Sequence, residues 1–343
     1  MQKRNVTIVD IAKELNLSPS TVSRALNDVS TVKESTKKEV LKLAELWGYV
    51  PNIPARNLLI KKTYNLGLIV PDVTHNFFSK AIKGIDEVVS QAGYQLVICS
   101  SNDDVLKEKK AAETLLHSRV DGLLVSLCDH TKEYGHFEKV IKNQVPIVFI
   151  DRICEDLAAP SVITNDFEGA YQATDYLIQT ACKKIAYLKG PDELSTSFYR
   201  QMGYMESLKN KGLNVNENLL VDWEDLAEQR AEKFHALLDG PDRPDGVFAY
   251  NDYIAFEFVQ AVKQNGLRIP EDVSVIGFAD EPVATYMTPA LSTVFQPALQ
   301  MGKSAAQLLL TQIEEDQLID DTTSVVLNTN LVLRETTRPL ERT

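Results

Sequence analysis

The sequence predicts an all-α head at the N-terminus and a larger α/β core of two subdomains, each built on a doubly wound parallel sheet. Three observations lead to this fold class. Capped helical patterns fill the first 48 residues. From Tyr64 onward, short apolar runs alternate with amphipathic segments in two successive sets. The 343 residues are 44% apolar and 24% charged, which is typical of a globular chain long enough for two or three domains.

The first predicted helix begins after Thr7. The Thr7 side chain can cap it and Asp10 can return the hydrogen bond, so that two donors at the helix end are satisfied. Apolar residues then recur at helical spacing and form one stripe: Ile8, Ile11, Ala12 and Leu15. Asn16 follows where the chain must reverse, and asparagine tolerates a left-handed backbone.

A second helix is predicted after Ser18, an N-cap followed by Pro19 at a position where proline costs no helical hydrogen bond. Its apolar contacts for the first helix are Val22, Ala25 and Leu26. Its opposite face carries only small donors and one long cation: Ser20, Thr21, Ser23 and Arg24. Such a face suits the major groove of DNA, where a bulky apolar surface would find no partner. The pattern alone also fits a helical hairpin within a larger bundle.

A third helix is predicted to begin at Ser35 or Thr36 and to end near Gly48, which completes a three-helix bundle. Two prolines, Pro51 and Pro54, separate the bundle from a helical segment of about two turns. A helix that short is marginal alone, so we expect it to form only when something packs on it.

The core is predicted from its β-α repetition. Continuous apolar runs, typical of strands buried on both faces, lie at 66–70, 96–99, 122–125, 147–150, 185–188, 246–249 and 273–278. Helical patterns between them favour parallel sheets covered on both sides. The expected domains are a head (1–50), a linker (51–62) and a core (63–343), whose subdomains cover about 63–164 with 296–325, and 165–295 with 326–343.

Net charge is divided unevenly along the chain. Residues 1–62 hold 11 Lys and Arg against 6 Asp and Glu, a charge of +5, whereas the remainder holds 25 against 42, a charge of −17. An acidic body repels phosphate, so only the head is expected to approach a nucleic acid. No apolar run reaches the ~20 residues of a membrane span, and the chain opens towards a capped helix, so we expect a cytoplasmic protein with no membrane partner.

Polar loops follow the predicted strands, at the carboxyl edge where open parallel sheets bind ligands. Asp, Asn and Arg side chains lie there beside Phe and Trp. This combination suits a small polyhydroxylated molecule, because carboxylate and amide oxygens accept hydroxyl protons while a ring covers an apolar face. Each such aspartate could equally be the cap of the helix that follows its strand.

Catalytic and metal-binding patterns are weak. The four cysteines lack C-x-x-C spacing and indicate buried free thiols, and the five histidines lack metal spacing. Gly302-Lys303-Ser304 resembles the end of a phosphate loop, but Pro297 stands in place of the upstream glycine. No G-x-S-x-G turn is present, and no G-x-G-x-x-G follows a strand. We therefore expect no enzyme, no metal and no cofactor.

Nearly the whole chain resembles the LacI/GalR (lactose and galactose repressor) family. The most specific blocks, in matching order and spacing, are VTIVDIA at 6–12, TVSRALN at 21–27, GYVPN at 48–52, ARNL at 55–58, LGLIVPD at 66–72, VDGLLV at 120–125, YND at 250–252, PEDVSVIGF at 270–278 and TPALSTV at 288–294. The resemblance implies a homodimeric repressor with helix-turn-helix heads on a pseudo-palindromic operator duplex. It also implies a periplasmic-binding-protein-like core whose small effector, most often a carbohydrate, alters operator affinity.

Residue roles on DNA also follow from the resemblance. Positions of base contacts are Pro19, Ser20 and Arg24, and positions near phosphates are Thr7, Ser18, Thr21, Ser23, Asn27 and Thr36. Arg24 is expected on a guanine, because a guanidinium matches its two acceptors. The linker matches a hinge helix that contacts the minor groove through Asn52 and Ala55, with Leu58 as an apolar wedge between base pairs. Leu58 could instead be a core residue of the linker.

Effector-binding residues implied by the resemblance are Phe77, Phe78, Asp151, Arg200, Trp223, Asn251, Asp280 and Gln296. Arg200 and Asn251 would fix hydroxyls or a carboxylate, and Trp223 would stack on the ligand. Many relatives carry an acidic residue directly after the position of Phe278, where this chain has Ala279 and then Asp280. The alternative is a free sugar-binding or transport-type protein with a similar core, which leaves residues 1–60 unexplained.

Overall fold

The structure is a computed structural model that describes residues 6–27, 31–49, 62–222, 226–315 and 323–340. The chain divides into two compact units, Met1–Thr63 and Tyr64–Thr343. The first unit contains helices α1 (Ile8–Glu14), α2 (Pro19–Leu26) and α3 (Glu34–Leu46). The three helices share one apolar core, formed by Ile11, Ala12, Val22, Ala25, Val40 and Ala44. The predicted apolar stripe of the first helix thus faces the predicted contacts of the second.

The turns of the first unit agree with the sequence except at the start of α3. Asn16 adopts a left-handed backbone with φ of 51°, and Gly48 follows α3 with φ of 62°. The third helix begins at Glu34 rather than at Ser35 or Thr36. Lys33 occupies the cap position and offers no acceptor to the helix, whereas the negative charge of Glu34 suits the positive helix end.

The second unit contains two six-stranded sheets. The strands of the first sheet are β1 (Asn65–Val70), β2 (Gln95–Ser100), β3 (Gly122–Val125), β4 (Ile147–Ile150), β5 (Ser161–Thr164) and β11 (Ser324–Leu327). They lie in the order β11-β5-β4-β3-β1-β2 and all pair in parallel. The flanking helices are α4 (Asn76–Gln91), α5 (Val105–His117), α6 (Gly135–Lys142) and α12 (Ala298–Glu315). We call this sheet and its helices the first lobe.

The second lobe is built on the other sheet. Its strands are β6 (Ile185–Leu188), β7 (Leu220–Val221), β8 (Gly246–Ala249), β9 (Ser274–Ala279), β10 (Ser292–Phe295) and β12 (Asn330–Val332). Their order is β12-β10-β9-β8-β6-β7, and only β12 runs antiparallel to its neighbour. The helices of this lobe are α7 (Asp166–Gln179), α8 (Ser195–Asn210), α9 (Ala227–Asp239), α10 (Asp252–Gln264) and α11 (Val283–Tyr286).

Burial on both faces explains the continuous apolar runs. In β1, Leu66, Leu68 and Val70 join one apolar cluster and Ile69 joins the cluster on the opposite face. Successive side chains of a strand point to opposite faces, so a strand covered by helices on both sides must be apolar throughout. The structure therefore confirms the predicted strands of both sheets. Strand β2 departs from the expected burial on both faces, because it lies at the edge of its sheet and leaves Val97 and Ile98 exposed.

Strands β5, β7 and β10 were not apparent from the sequence as apolar runs. Strand β5 begins with a serine and ends with a threonine, and β10 begins with Ser-Thr, so neither is a continuous apolar run. Strand β11 pairs with β5 along its whole length, up to Leu327 opposite Thr164. The subdomain boundary expected at 325 falls inside this strand.

Three segments of chain connect the two lobes: 165, between β5 and α7; 296–297, between β10 and α12; and 328–329, between β11 and β12. Hydrogen bonds join these segments to the strand ends beside them. The backbone N–H of Asn165 donates to the carbonyl of Leu327 at 2.8 Å, and Gln296 Nε2 donates to Thr164 Oγ1 at 3.0 Å. The joint between the lobes is thus a single hydrogen-bonded unit.

Helices α4 and α12 approach each other closely at two glycines. A Cβ atom at Gly84 would overlap the backbone carbonyl of Leu299, and one at Gly302 would overlap that of Ala81. Backbone atoms cannot move aside as the end of a flexible side chain can. The two helices therefore require glycine at both positions.

Within the described ranges, no helix combines the length and the apolar character that crossing a membrane requires. All four cysteines are free thiols. Cys128, Cys154 and Cys182 are buried, whereas Cys99 is only half-buried, which departs from the expectation that all four are buried.

Substitution of Gly84 by alanine should destabilise the second unit by about 1–3 kcal/mol, because the methyl group would overpack against backbone. The free energy of unfolding of the full chain in urea measures this effect. Gly135→Ala is the matched control, since a Cβ there meets open space, and it should change the free energy by about 0.5 kcal/mol or less. Equal values for the two variants would contradict the close helix contact.

Candidate functional site

The candidate nucleic-acid interface lies on α2. The Ser18 hydroxyl accepts a hydrogen bond from the backbone N–H of Thr21 at 3.1 Å and caps the helix, with Pro19 in its first turn. Val22 and Ala25 are buried in the core of the first unit. The predicted DNA-contacting residues of this helix are exposed or half-buried: Pro19, Ser20, Thr21, Ser23 and Arg24.

Local hydrogen bonds order this face. Ser18 Oγ lies 2.8 Å from the hydroxyls of both Ser20 and Thr21. Arg24 Nε donates to the carbonyl of Ser20 at 3.2 Å, which leaves the terminal nitrogens of the guanidinium available to a ligand. Asn27 Nδ2 donates to the carbonyl of Ser23 at 2.8 Å. The face is therefore polar, ordered and rich in donors.

The start of α1 has the predicted reciprocal cap. The backbone N–H of Thr7 donates to Asp10 Oδ2 at 2.9 Å, and the backbone N–H of Asp10 donates to Thr7 Oγ1 at 3.3 Å. Thr7 is exposed and Thr36 is half-buried. The linker residues predicted to contact DNA lie outside the described residues: Asn52, Ala55 and Leu58.

The candidate effector cleft lies between the carboxyl ends of the strands of the two lobes. Asp151 follows β4 with a left-handed backbone, φ of 62°, and is 7% exposed. Gln296 Nε2, from a segment that connects the lobes, donates to Asp151 Oδ1 at 3.4 Å. Burial, together with the nearby charge of Asp166, raises the pKa of Asp151 to about 6. A ligand that donates hydrogen bonds to the buried Asp151 carboxylate would stabilise its charged form.

Arg200 is fixed in the second lobe by a buried ion pair. Its Nε donates to Asp166 Oδ1 at 2.7 Å and its Nη1 donates to the carbonyl of Tyr250 at 2.8 Å. The guanidinium lies 4.7 Å from the ring centroid of Tyr250 and 3.8 Å from that of Phe278. Burial raises the pKa of Asp166, while the charge of Arg200 opposes that rise. In this buried site, the charge of Arg200 and the charge of Asp166 therefore stabilise each other.

A second cleft arginine, Arg152, was not among the predicted site residues. Its Nη1 lies 2.7 Å from Asp129 Oδ1 and 2.9 Å from Asp103 Oδ1, and its guanidinium lies 5.6 Å from the ring centroid of Phe78. The signal was its place directly after Asp151 at a strand end. Its two carboxylates come from the loops after β2 and β3, which only the folded sheet brings together.

The predicted aromatic residues belong largely to the core of the first lobe. Phe77 and Phe78 are buried in the first turn of α4, with ring centroids 5.2 Å apart in an edge-to-face arrangement. Trp223, predicted to stack on the ligand, lies outside the described residues.

Two further predicted residues are engaged within the second lobe. Asn251 Oδ1 accepts from the backbone N–H of Ile254 at 2.9 Å and caps α10, the alternative role that the sequence left open for the aspartates that follow strands. Asp280 Oδ1 lies 2.7 Å from Arg334 Nη2. The backbone leading to it is unusual, with φ of 124° at Ala279 and 57° at Asp280.

Side chains of the two lobes meet across the cleft. Lys132 Nζ lies 2.8 Å from Glu193 Oε1, and Tyr199 donates its hydroxyl proton to Glu155 Oε1 at 2.9 Å. Among the described residues, no group of three or more His, Cys, Asp or Glu is placed to hold a metal. The cleft is thus a polar, closed surface with carboxylates, amides and two paired arginines.

Comparison with known proteins identifies both units. Residues 7–52 match the family described as bacterial regulatory proteins, lacI family. Residues 63–330 match the family of periplasmic binding proteins and the sugar binding domain of the LacI family. Each unit is thus similar to one part of a regulator that joins a DNA-binding head to a ligand-binding core.

Full-length relatives have the same extent. A probable HTH-type transcriptional repressor ExuR of Bacillus subtilis is 34% identical over 98% of this chain and 99% of its own. An HTH-type transcriptional repressor PurR of Photobacterium profundum is 31% identical over 97% and 99%. A solved complex of the regulator CelR with cellobiose is 26% identical, covers 97% of this chain and 100% of its own, and has a TM-score of 0.73.

Substitution of Asp166 by alanine should destabilise the second unit by about 3–5 kcal/mol, because the buried charge of Arg200 would lose its carboxylate. Urea unfolding of Asp166→Ala, Arg200→Met and the double variant forms a double-mutant cycle. We expect the double variant to be more stable than the sum of the single losses predicts. Additive losses would show that the two side chains do not depend on each other.

Proposed function

The chain belongs to the LacI family of bacterial regulatory proteins, and from this premise we propose that it is a repressor whose affinity for a pseudo-palindromic operator is set by a neutral carbohydrate in the cleft. The single observation that supports this proposal is an ordered, donor-rich helix face in the same chain as a two-lobed, polar ligand cleft. A free sugar-binding or transport-type protein would leave the matched head, residues 7–52, without a use.

The proposed DNA contacts start from α2. Its N-terminal end and exposed side chains would enter the major groove, with Arg24 bidentate on a guanine and Pro19 and Ser20 beside neighbouring bases. The phosphate contacts would come from hydroxyl and amide donors of the three helices and their caps: Thr7, Ser18, Thr21, Ser23, Asn27 and Thr36. Two heads of a homodimer would read half-sites about one helical turn apart, with Asn52, Ala55 and Leu58 in the minor groove between them.

The charge balance of the cleft supports a neutral effector. Arg152 is paired with two carboxylates and Arg200 with one, so neither offers an uncompensated positive charge. Asp151 adds a further carboxylate between them. An anionic ligand would meet net negative charge, whereas hydroxyl groups could donate to the carboxylates. The CelR complex contains cellobiose, a neutral sugar.

The proposed switch uses the joint between the lobes. Asp151 and Gln296 are bonded to each other, and Gln296 is bonded to Thr164, so a ligand that binds Asp151 acts on one connecting segment and on the end of β5, next to a second connecting segment. Such a ligand would favour one angle between the lobes and thereby one arrangement of the dimer. A coupling of ~1–3 kcal/mol would change operator affinity about 5–150-fold.

Substitution of Arg24 by alanine should weaken binding to a specific operator duplex about 5–150-fold and relax sequence preference at one base pair. Lys13→Ala is the matched control, because it also removes one positive charge from the head and should weaken specific and non-specific binding alike. Fluorescence anisotropy across a series of salt concentrations measures both. A wild-type chain that binds no duplex at low salt, or equal losses for the two variants, would contradict the assignment.

Neutral sugars should raise the melting temperature of the full chain, whereas the matching sugar acids should not. A thermal-shift screen would pair glucose with glucuronate and galactose with galacturonate, and would include cellobiose and ribose. Because the pKa of Asp151 is about 6, its carboxylate becomes protonated below that pH and stops accepting from hydroxyls. The shift should therefore be smaller at pH 5 than at pH 7.5, and Asp151→Asn should reduce this difference.

Stabilisation by the sugar acids alone would overturn the neutral assignment. A melting-temperature shift that is equal at both pH values in the wild type would show that Asp151 does not bind the sugar.

A further inference from the structure

Helix α4 of the first lobe begins without a cap of its own. His75 occupies the cap position and its side chain makes no hydrogen bond to the helix. The first N–H groups of any helix lack partners inside it. One of them, the backbone N–H of Phe77, donates to Glu281 Oε1 at 3.1 Å. Glu281 follows β9 in the second lobe, so the acceptor for α4 comes from across the cleft.

Glu281 is well suited to this role. Its side chain is 4% exposed, and a buried carboxylate needs hydrogen bonds to offset its lost hydration. The start of a helix provides both N–H donors and partial positive charge. The backbone N–H of Glu281 also donates to Asp252 Oδ2 at 2.7 Å, which fixes the residue in its own lobe. Glu281 is thus fixed in the second lobe, and its carboxylate accepts a hydrogen bond from the first lobe.

The loop that carries Glu281 is strained. Ala279 and Asp280 both have positive φ, 124° and 57°, a region that L residues rarely adopt. Asp280 is tied to Arg334, and its N–H donates to Thr293 Oγ1 at 3.4 Å. Strain of this kind persists only where the surroundings impose it. Here the imposed conformation presents the next side chain to the other lobe.

A second contact across the cleft lies beside the first. The ring of His75 stacks on the ring of Tyr253, with centroids 4.5 Å apart and an interplanar angle of 22°. Tyr253 lies in the first turn of α10, the helix that also provides Asp252. The start of α4 therefore meets the second lobe through a hydrogen bond and a ring contact together.

The close packing of α4 on α12 extends the effect of this contact. Because the two helices touch backbone to backbone at Gly84 and Gly302, a shift of α4 must carry α12 with it. Helix α12 begins directly after a segment that connects the lobes. A cap at the first turn of α4 therefore affects the positions of both α4 and α12.

We propose that Glu281 is a positioning residue that caps α4 across the cleft and so holds α4 and α12 in place only while the lobes keep this arrangement. The proposal extends the proposed function, in which an effector changes that arrangement. Through the Glu281 hydrogen bond, the second lobe contacts the first lobe directly and independently of the connecting segments.

Hydrogen exchange of the full chain, followed by mass spectrometry, tests the cap without DNA or sugar. In Glu281→Leu, amides in peptides covering 76–82 and 298–304 should exchange about fivefold faster, whereas α5 in the same lobe should keep its rate. Glu281→Gln retains an acceptor oxygen and should stay within about twofold of the wild type. Glu335→Leu is the matched control, since Glu335 accepts from the N–H of Ala290 inside the second lobe.

Unchanged exchange at 76–82 in Glu281→Leu would overturn the proposal, and so would equal acceleration of α5 or an equal effect of Glu335→Leu. If Glu281→Leu does not fold, wild-type rates for α4 in Glu281→Gln support the cap, and rates raised throughout the first lobe overturn it. Because this measurement contains no duplex and no ligand, failure of the cap and failure of the proposed function are seen in separate experiments.

Discussion

The buried ion pair between Arg200 and Asp166 is the interaction on which the cleft depends. Asp166 is the first residue of α7, directly after a segment that connects the lobes, and Arg200 reaches it from α8. The same guanidinium binds the carbonyl of Tyr250 at the end of β8. The Arg200 side chain thereby links the start of α7, next to a connecting segment, to the carboxyl end of strand β8. Neither charge is tolerated there without the other, so the cleft forms only around the completed pair.

Features that depend on neighbours in sequence were predictable. The reciprocal cap of Thr7 and Asp10, the Ser18 cap and the left-handed Asn16 each involve residues at most three positions apart. Their hydrogen bonds follow from local geometry. Strands with apolar runs were equally clear, and in all of them except the exposed edge strand β2 burial on both faces explains why the run is apolar. The head and most of the core could thus be drawn from the sequence.

Features that depend on distant residues were not predictable from the residues alone. Strand β5 has polar ends that are buried only because β4 and β11 flank it. The acceptor of the Phe77 amide lies 204 positions away. Arg152 stood next to a predicted residue, but its two carboxylates come from other strand ends. The resemblance to a family identified residues of the cleft, but which of their side chains pair with each other could be seen only in the folded structure.

The interlaced connection of the lobes has a consequence for how the chain reaches its native state. The first sheet acquires its outermost strand late, since Ser324 pairs beside a residue 163 positions earlier. During synthesis the opposite lobe must emerge from the ribosome before that edge is covered. An uncovered parallel edge is prone to association with other chains. The first sheet therefore keeps an open parallel edge at β5 until Ser324–Leu327 has been translated.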